Sequence, residues 1–424
     1  MAKIWVESYG CSASFADAEM ISGMIVNGGH TLAVNPKDSD LNLIVTCSVK
    51  DATANKMVNR IKRLKAKPLI VAGCLAKAEP KTVERFSSAS LMGPNSIGKT
   101  LQIINHTLAG KRDVELADTD ITKTGLPKVR LNPVVGIVEI ASGCMSDCTF
   151  CQTKLAKGDL KSYRIGDIVR QVTEEVRDGC KEIWLTSTDN GCYGLDIGTT
   201  LPRLVQETSE IAGDFRIRVG MMNPMYMPRI RDDLLKSFES DKVYKFLHVP
   251  VQSGSDQVLQ DMKRGHTGAT FTDMVEKFRK KFERFTVSTD VIVGFPTETE
   301  TDFEQTLSLL EKTRPDVVNL SRYSQRPGTK AAEMPQIDVA EIKRRSKIVF
   351  EMMNKIAADN NRQWIGWQGE VLFNEQTDER IRGRNFAYKS VFVEDKVRVG
   401  QKEHVRITRA TNHGLYGVIA SGSV

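Results

Sequence analysis

Short apolar runs alternate with amphipathic stretches through the first 110 residues. The runs at 3–7, 41–46 and 68–72 have the length and composition of buried strands, whereas 16–26 and 53–64 repeat apolar residues at helical spacing. Strands that alternate with helices pack as a parallel sheet covered by helices. The pattern therefore predicts a small parallel α/β domain over residues 1–110.

The same alternation continues on a larger scale between residues 133 and 330. Candidate strands lie at 134–140, 182–186, 215–219, 246–251, 286–293 and 317–322. Amphipathic helices are predicted between them at 165–177, 201–211, 270–282 and 301–312, and a helix of mixed charge follows at 339–360. Six parallel strands with helical crossovers predict a partial (β/α)6 barrel, a fold that keeps its chemistry at the carboxyl ends of its strands.

After residue 361 the chain changes to short β-like runs separated by glycine and charged turns. The runs lie at 369–373, 380–384, 390–393, 403–410 and 415–419, and they predict a small antiparallel β-barrel. The chain thus divides into an α/β domain (1–110), a charged linker (111–132), a barrel core (133–361) and a terminal β-barrel (362–424). The predicted fold class is α/β with a small all-β end.

Composition restricts the binding partners, the redox state of the cysteines and the location that can be expected. The net charge of +7 permits nucleic-acid binding without requiring it. Eight cysteines in 424 residues are too sparse for a disulfide scaffold, so we expect reduced thiols and a cytoplasmic protein. The N-terminus lacks the apolar core of a signal peptide, and no apolar run approaches the ~18 residues of a membrane span, so no membrane association is expected.

Three of the cysteines are closely spaced after the first predicted strand of the barrel core. Cys144, Cys148 and Cys151 stand in C-x3-C-x2-C spacing, which lets one loop present three thiolates to a metal. A [4Fe-4S] cluster held by three thiolates keeps one iron open for a small molecule. A zinc site with its fourth ligand elsewhere is the alternative, because thiolates also suit zinc.

Three other cysteines, Cys11, Cys47 and Cys74, each follow a predicted strand of the N-terminal sheet. The carboxyl ends of parallel strands meet at one edge, so these thiols are predicted to converge on a second metal site. The alternative is that they are small buried apolar residues.

Residues 93–100 match the phosphate-binding pattern G-x4-G-K-[ST] and lead into a helical stretch. A nucleotide site of this kind also needs a following strand that ends in an aspartate for magnesium. The next segment, 110–132, is a charged connector without an apolar strand. We therefore interpret the motif as a turn followed by an N-capped helix.

Basic and aromatic side chains are interleaved in the terminal β-barrel. This arrangement suits phosphate contact combined with base stacking, and a solvated turn is the alternative. The candidate RNA-binding residues are Arg380, Arg382, Arg384, Phe386, Tyr388 and Lys389.

Taken together, the six cysteines and several longer motifs make the chain resemble the radical S-adenosylmethionine (SAM) methylthiotransferases over nearly its whole length. The motifs lie at 249–256, 262–264, 289–296 and 326–329. The resemblance implies an N-terminal methylthiotransferase domain, a radical SAM core and a C-terminal RNA-binding TRAM domain. Further stretches resemble the archaeal and eukaryotic branch that acts on N6-threonylcarbamoyladenosine at position 37 of tRNA: 10–12, 151–154, 158–163, 183–187 with Asp189, and 383–385.

This resemblance implies two [4Fe-4S] clusters, with Cys144, Cys148 and Cys151 as the catalytic set and the other three cysteines holding the sulfur to be inserted. It also implies SAM as cofactor, the tRNA anticodon loop as partner, and an electron donor whose identity is unknown; we expect a monomer. Lys157 stands where the family usually has arginine. Cys180 and Cys192 match no ligand position and are interpreted as packing residues.

For SAM contacts we predict polar residues at the barrel mouth, each of which has a strand-end cap as its alternative role. They are Ser187, Asp189, Gln252, Ser253 and Asp290. Two other functions remain open at this point. One is methylthiolation of a ribosomal-protein aspartate, and the other is a zinc protein that binds RNA without catalysis.

Overall fold

The fold was analysed in a computed structural model that describes residues 1–47, 51–119, 121–376 and 380–420. Its N-terminal part is a six-stranded, all-parallel sheet with helices packed on it, in the strand order β2-β1-β3-β4-β5-β6. The strands are β1 (Lys3–Ser8), β2 (Thr31–Leu32), β3 (Leu41–Thr46), β4 (Leu69–Gly73), β5 (Ser90–Met92) and β6 (Val114–Glu115). The helices are α1 (Ser12–Asn27), α2 (Asp51–Leu64), α3 (Cys74–Ala78), α4 (Pro80–Glu84) and α5 (Thr100–Leu108).

The predicted parallel sheet is confirmed, with two differences. The edge strand β6 lies inside the segment predicted as a linker. It is a strand because its two residues pair with β5. Helix α1 begins at Ser12 rather than at 16, because its small first residues are buried although they lack an apolar repeat.

The core forms the predicted partial barrel from two three-stranded parallel sheets, β11-β10-β7 and β12-β13-β14. A parallel bridge between Ile217 and Val243 joins the two sheets. The strands are β7 (Val135–Glu139), β8 (Ala141–Ser142), β9 (Lys161–Ser162), β10 (Glu182–Thr186), β11 (Arg216–Val219), β12 (Phe246–His248), β13 (Thr286–Val293) and β14 (Val317–Arg322). The helices are α6 (Thr153–Lys157), α7 (Ile165–Arg177), α8 (Leu201–Ser209), α9 (Met227–Ser237), α10 (Asp256–Asp261), α11 (Gly268–Lys281), α12 (Glu300–Thr313) and α13 (Val339–Arg362).

Side-chain alternation along the strands separates the outer core from the barrel interior. Ile183 and Leu185 of β10 pack with the surrounding helices in one large apolar core. Their neighbours Glu182, Trp184 and Thr186 point to the opposite face, as the two-residue period of a strand requires. On β10 this face therefore carries polar and aromatic side chains, whereas the paired residues Val135 and Ile137 of β7 are apolar.

Strand β12 is shorter than the predicted 246–251. Val251 N–H donates to the Thr289 hydroxyl over 3.0 Å instead of to a strand carbonyl, and Gln252 has a left-handed backbone (φ +71°). These two features end the regular ladder at His248 and turn the chain at the barrel mouth.

The C-terminal strands close into a five-stranded barrel in the order β15-β16-β17-β19-β18. They are β15 (Gln368–Gln376), β16 (Ile381–Arg384), β17 (Ser390–Val393), β18 (Lys402–Thr411) and β19 (Gly414–Ile419). The pairing of β17 with β19 is parallel, in contrast to the other four. The predicted small barrel is thus confirmed, with one parallel pairing that its sequence does not reveal.

The C-terminal barrel covers the end of the partial barrel at which the parallel strands begin. Asn374 Nδ2 donates over 2.6 Å to Glu182, the first residue of β10. Lys245, just before β12, donates its main-chain N–H to Phe386 O over 2.8 Å.

The N-terminal domain docks near the opposite end. Helix α1 packs on β7, and the Ser12 hydroxyl lies 2.5 Å from the hydroxyl of Thr186, the last residue of β10. Within the described ranges, no helix is both long and apolar enough to cross a membrane.

Candidate active site

One loop at the carboxyl-end mouth of the partial barrel carries Cys144, Cys148 and Cys151. The loop follows β8 and leads into α6. Cys144 N–H donates to Gly158 O and Cys151 N–H donates to Cys148 O, both over 3.2 Å. These bonds fold the loop back on itself.

Hydrogen-bond donors surround the sulfur atoms of this loop. Arg264 Nη1 donates to Cys148 Sγ over 3.3 Å, and Ser146 N–H donates to Cys144 Sγ over 3.3 Å. Burial raises the pKa of Cys148, and the Arg264 charge opposes that rise. Donors of this kind stabilise thiolates, which are the form that binds iron.

A fourth cysteine lies beside the loop. Ligand atoms of Cys144, Asp189 and Cys192 all lie within 4.8 Å of one another. The hydrogen bond from the Cys192 thiol lowers the pKa of Cys144 to about 7. Both Cys192 and Cys180 are buried in the outer apolar core, in keeping with their interpretation as packing residues. Cys192 in addition lies beside Cys144, and its position shortly after β10, at the same mouth, is the feature of the sequence that indicates this placement.

Two predicted SAM contacts follow β10 at the mouth. The Ser187 hydroxyl donates to Asn190 Oδ1 over 2.5 Å. Asp189 Oδ1 accepts from the main-chain N–H groups of Gly191 and Asn223, each over 2.9 Å. Burial raises the pKa of Asp189, and these two donors oppose it. Both side chains therefore stabilise the turn after the strand. Asp189 also lies beside Cys144 of the cysteine loop.

The other three predicted SAM contacts are divided between the interior and the helical layer. Gln252 is 9% exposed, and its Oε1 has no hydrogen-bond partner among the described residues. Asp290 Oδ2 lies 3.1 Å from His248 Nε2. Ser253 is fully buried with its hydroxyl 3.3 Å from Thr306 of α12, so its side chain contacts the helical layer.

The remaining three-cysteine set lies at one edge of the N-terminal sheet. Cys11 follows β1, Cys47 follows β3 and Cys74 follows β4, and these three strands are neighbours in the sheet. Gly10 has φ +121°, and a Cβ at this position would overlap the Cys47 side chain. A hydrogen bond from Cys47 lowers the pKa of Cys11, whereas burial raises that of Cys74 to about 12.

Four buried charges connect the N-terminal domain to the barrel core. Lys123 Nζ lies 2.6 Å from Asp17 on α1 and 2.9 Å from Glu139 at the end of β7. Lys157 Nζ, at the end of α6, lies 3.1 Å from the other oxygen of Glu139. All four side chains are at most 4% exposed. We call these four residues the interface network. Of the four, only Lys157 stands out in the sequence, as a departure from the family pattern.

Both cysteine sets fit iron–sulfur clusters that keep an open iron. Each supplies three sulfur donors from loops that the fold brings together, and iron–sulfur clusters are held by thiolates of this kind. The donors around Cys148 and Cys144 are the outer contacts that such a cluster requires.

Comparison with known proteins agrees with this geometry. Residues 138–310 match the Radical SAM superfamily, and residues 3–93 match the Uncharacterized protein family UPF0004. The chain is 37% identical over 425 residues to the probable threonylcarbamoyladenosine tRNA methylthiotransferase of Pyrococcus horikoshii, covering 99% of this chain and 100% of the relative. It is 35% identical to the threonylcarbamoyladenosine tRNA methylthiotransferase of Drosophila melanogaster, covering 98% of this chain and 77% of the relative.

The chain belongs to the threonylcarbamoyladenosine tRNA methylthiotransferase family. The resemblance described from the sequence is thereby confirmed. Among solved structures, the radical SAM methyltransferase TsrM of Kitasatospora setae aligns with a TM-score of 0.58 at 13% identity, covering 78% of this chain and 75% of TsrM. OxsB, a cobalamin-dependent radical SAM enzyme, aligns with a TM-score of 0.53 at 11% identity, covering 85% of this chain and 56% of OxsB. At these identities the similarity concerns the fold alone.

Residues 93–100, which match the phosphate-binding pattern, make structural contacts. Their loop lies between β5 and α5 as a 3-10 turn. The Lys99 ammonium lies 2.5 Å from Glu115, the Thr100 hydroxyl donates to Ile97 O over 2.6 Å, and a Cβ on Gly98 would press against Ile121. The turn and helix are as predicted, but Lys99 at the N-cap provides no side-chain cap.

The six candidate RNA-binding residues do not form one exposed surface. Tyr388 is 8% exposed and packs on Tyr244 and Phe246, with ring centroids 4.8 and 4.9 Å apart. Lys389 is 7% exposed, with its Nζ 2.7 Å from Asp316 of the core. These two residues attach the C-terminal barrel to the core, and their burial argues against the RNA contacts predicted for them.

Three further members of that set are also engaged in contacts. Arg382 forms an ion pair with Glu375, Arg384 donates hydrogen bonds within its own hairpin, and Phe386 packs 5.9 Å from Trp364. Charge and aromatic content alone could not show which side of the hairpin faces the core.

A partly exposed group of the same chemical character lies elsewhere on the barrel. Phe392 and Tyr416 stack with centroids 5.3 Å apart. The Arg409 guanidinium lies 3.9 Å from the Tyr416 ring, and that of Arg380, the sixth candidate, lies 5.8 Å from it. Both arginines are exposed. We call these four residues the Tyr416 patch.

Proposed function

We propose that this chain converts N6-threonylcarbamoyladenosine at position 37 of tRNA to its 2-methylthio derivative. In this proposal Cys144, Cys148 and Cys151 hold a [4Fe-4S] cluster that binds SAM, and a second [4Fe-4S] cluster on the N-terminal cysteines holds the sulfur to be transferred. The observation that carries the proposal is the placement of two three-cysteine sets on domains that meet at one barrel mouth, joined by the Ser12–Thr186 contact and the interface network.

A radical mechanism suits this substrate because C2 of adenine is neither acidic nor readily attacked by a thiolate. When bound, the cluster and SAM supply the carbon radical chemistry that removes this hydrogen. The chain's own residues hold the reactants. Arg264 and Ser146 donate to the cysteine sulfurs. In this proposal SAM is contacted by Asp189, which lies beside Cys144, and by Gln252, whose amide oxygen has no hydrogen-bond partner among the described residues.

The target base must leave its stack to reach the mouth, and a loop base costs less to extrude than a paired one. We propose that the Tyr416 patch contacts the RNA at the same time, because half-buried aromatic rings beside exposed guanidinium groups suit base stacking and phosphate contact. Binding through phosphates predicts that affinity for tRNA falls steeply as salt rises; affinity that stays constant from low to moderate salt would contradict this role. We also propose that the chain acts as a cytoplasmic monomer with a separate electron donor.

The decisive test is an anaerobic assay with SAM, a reductant and tRNA with or without the threonylcarbamoyl group. We expect a methylthio mass increase on the nucleoside at position 37 of the modified tRNA. The purified protein should be brown and contain about eight irons when both clusters are complete. Colourless protein with stoichiometric zinc would overturn the mechanism. Transfer of the methylthio group to a ribosomal-protein aspartate, with tRNA unchanged, would overturn the substrate.

A further inference from the structure

Arg218 is a cation without a carboxylate partner on the inner face of the partial barrel. Its neighbours along β11, Ile217 and Val219, pack in the outer apolar core. Arg218 therefore points to the opposite face, as the two-residue period of a strand requires. Its side chain is half-buried, and its Nε is buried without a hydrogen-bond partner among the described residues. Because a cation removed from water is costly unless it is paired, this position suits an anionic ligand.

Three aromatic rings surround the guanidinium. Its Cζ lies 5.0 Å from the ring centroid of Trp184, 5.5 Å from that of Phe246 and 5.4 Å from that of Tyr388. Contacts of this kind hold the guanidinium plane in place and leave its N–H edges available for a planar anion. Of its three nitrogens Nε alone is enclosed, so the two terminal nitrogens remain accessible.

The acidic side chain on the same face of the neighbouring strand is already engaged by neutral donors. Glu182 accepts hydrogen bonds from Trp184 Nε1, from the Tyr244 hydroxyl over 3.1 Å and from Asn374 Nδ2 over 2.6 Å. Its carboxylate is thus satisfied without an ion pair to Arg218 in the part of the chain that the structure describes. The positive charge of Arg218 is left for a ligand.

Arg218 also lies close to the mouth of the barrel. It is the last residue but one of β11, which ends at Val219. The Phe246 ring that it faces lies 6.4 Å from the ring of His248. His248 Nε2 in turn lies 3.1 Å from Asp290, one of the predicted SAM contacts. A substrate group that extends from the mouth into the barrel would therefore meet Arg218.

We infer that Arg218 binds the free carboxylate of the threonylcarbamoyl group and thereby selects the modified adenosine. This inference rests on the proposed function. In that nucleoside threonine is joined through its amino group, so its carboxylate is free and ionised at neutral pH. A guanidinium binds a carboxylate through two parallel charge-assisted hydrogen bonds, which a neutral group does not reproduce. Unmodified adenosine would leave the charge of Arg218 unpaired.

The test uses the full chain with both clusters reconstituted and two synthetic anticodon stem-loops. One carries N6-threonylcarbamoyladenosine, and the other carries the corresponding threoninamide, which is neutral and similar in shape. We expect the parent to show a kcat/KM for methylthiolation about 10- to 100-fold higher on the carboxylate form, the range expected for hydrogen bonds to a charged group. Arg218→Met should lose most of this ratio, and Arg218→Lys, which keeps the charge, should retain part of it.

Arg216→Met is the matched control. Arg216 lies two residues earlier on the same face of β11, but it already pairs with Glu370 over 3.2 Å. The control should therefore keep the ratio of the parent. If Arg218→Met does not fold, Arg218→Gln, which keeps a polar side chain of similar length, takes its place and should also lose most of the ratio.

Equal kcat/KM of the parent on the two stem-loops would overturn the inference and leave the proposed function intact. Absence of methylthiolation on both would instead refute the proposed function. SAM also has a carboxylate: if Arg218 bound that group, Arg218→Met would raise the KM for SAM and keep the ratio of the parent, which would overturn the inference. Proportional loss of activity on both stem-loops, with the ratio unchanged, would leave Arg218 a purely structural residue and would overturn the inference as well.

Discussion

Substitution of Lys389 distinguishes two roles for this residue, one predicted from the sequence and the other indicated by the structure. The sequence places it among RNA contacts, whereas the structure buries it between the C-terminal barrel and the core. Its Nζ lies 2.7 Å from Asp316 Oδ1 and donates to Asn361 Oδ1 over 2.8 Å. Replacing Lys389 with methionine would keep most of its volume and leave the Asp316 carboxylate, itself 7% exposed, without its cation.

The size of the effect follows from the contacts that remain. Removing one partner of a buried ion pair costs about 3–5 kcal/mol. Asp316 would still accept from Val287 N–H over 2.9 Å and from Asn360 Nδ2 over 3.3 Å. The loss should therefore lie near the lower limit, at about 3 kcal/mol, which is roughly a 150-fold change in the equilibrium constant for docking of the barrel. Adding Asp316→Asn should recover most of this loss, since no unpaired charge would remain.

Urea unfolding followed by tryptophan fluorescence is a suitable assay, because Trp364 is buried where the barrel begins. Arg409→Met, a change on the exposed Tyr416 patch, serves as the control and should leave the unfolding midpoint unchanged. The structural reasoning would be refuted if Lys389→Met unfolded like the parent while its tRNA affinity and the salt dependence of binding both decreased. That result would make Lys389 a phosphate contact.

Three further predictions concern the cysteine loop, a buried carboxyl and the phosphate-binding pattern. Cys144→Ala should abolish SAM cleavage while sparing tRNA affinity; cleavage retained in an anaerobic assay would remove this loop from the mechanism. Burial raises the pKa of Glu19 from 4.5 to about 7, so the folded state loses stability as pH rises through this interval. Glu19→Gln should therefore stabilise the protein at pH 8 by at most about 3 kcal/mol and have little effect near pH 4.5; equal shifts of Tm at both pH values would contradict this. Lys99→Ala should leave tRNA modification near normal, because the ammonium already pairs with Glu115. Loss of modification in this variant would instead support nucleotide binding at residues 93–100.

The sequence predicted the parallel strands well because hydrophobic patterning follows directly from burial. Strand β10 and strand β13 occupy the predicted ranges, since their apolar residues face a continuous helical layer. Strand β12 was predicted too long, because its end depends on the Thr289 hydroxyl and on the backbone of Gln252. Neither feature alters the hydrophobic pattern.

The candidate site could be predicted where the spacing of cysteines along the chain indicates metal ligands. The cysteine triplet on one loop could be identified from C-x3-C-x2-C, and convergence of the other three followed from the edge geometry of a parallel sheet. The interface network could not be found in this way, because Asp17, Lys123, Glu139 and Lys157 are far apart in sequence. Their meeting depends on how α1 docks on β7.

That docking brings the two cysteine sets into one candidate active site. Neither domain alone contains both cysteine sets. The contacts between the domains combine apolar packing of α1 on β7 with polar contacts: the Ser12–Thr186 pair, Lys123 with Glu139, and Lys157 with Glu139. Buried polar contacts favour one geometry strongly, because any misalignment leaves groups unpaired in a low-dielectric environment. The apolar packing of α1 on β7 tolerates sliding more readily. The polar contacts therefore fix the relative position of the two cysteine sets, as the sulfur transfer proposed above requires.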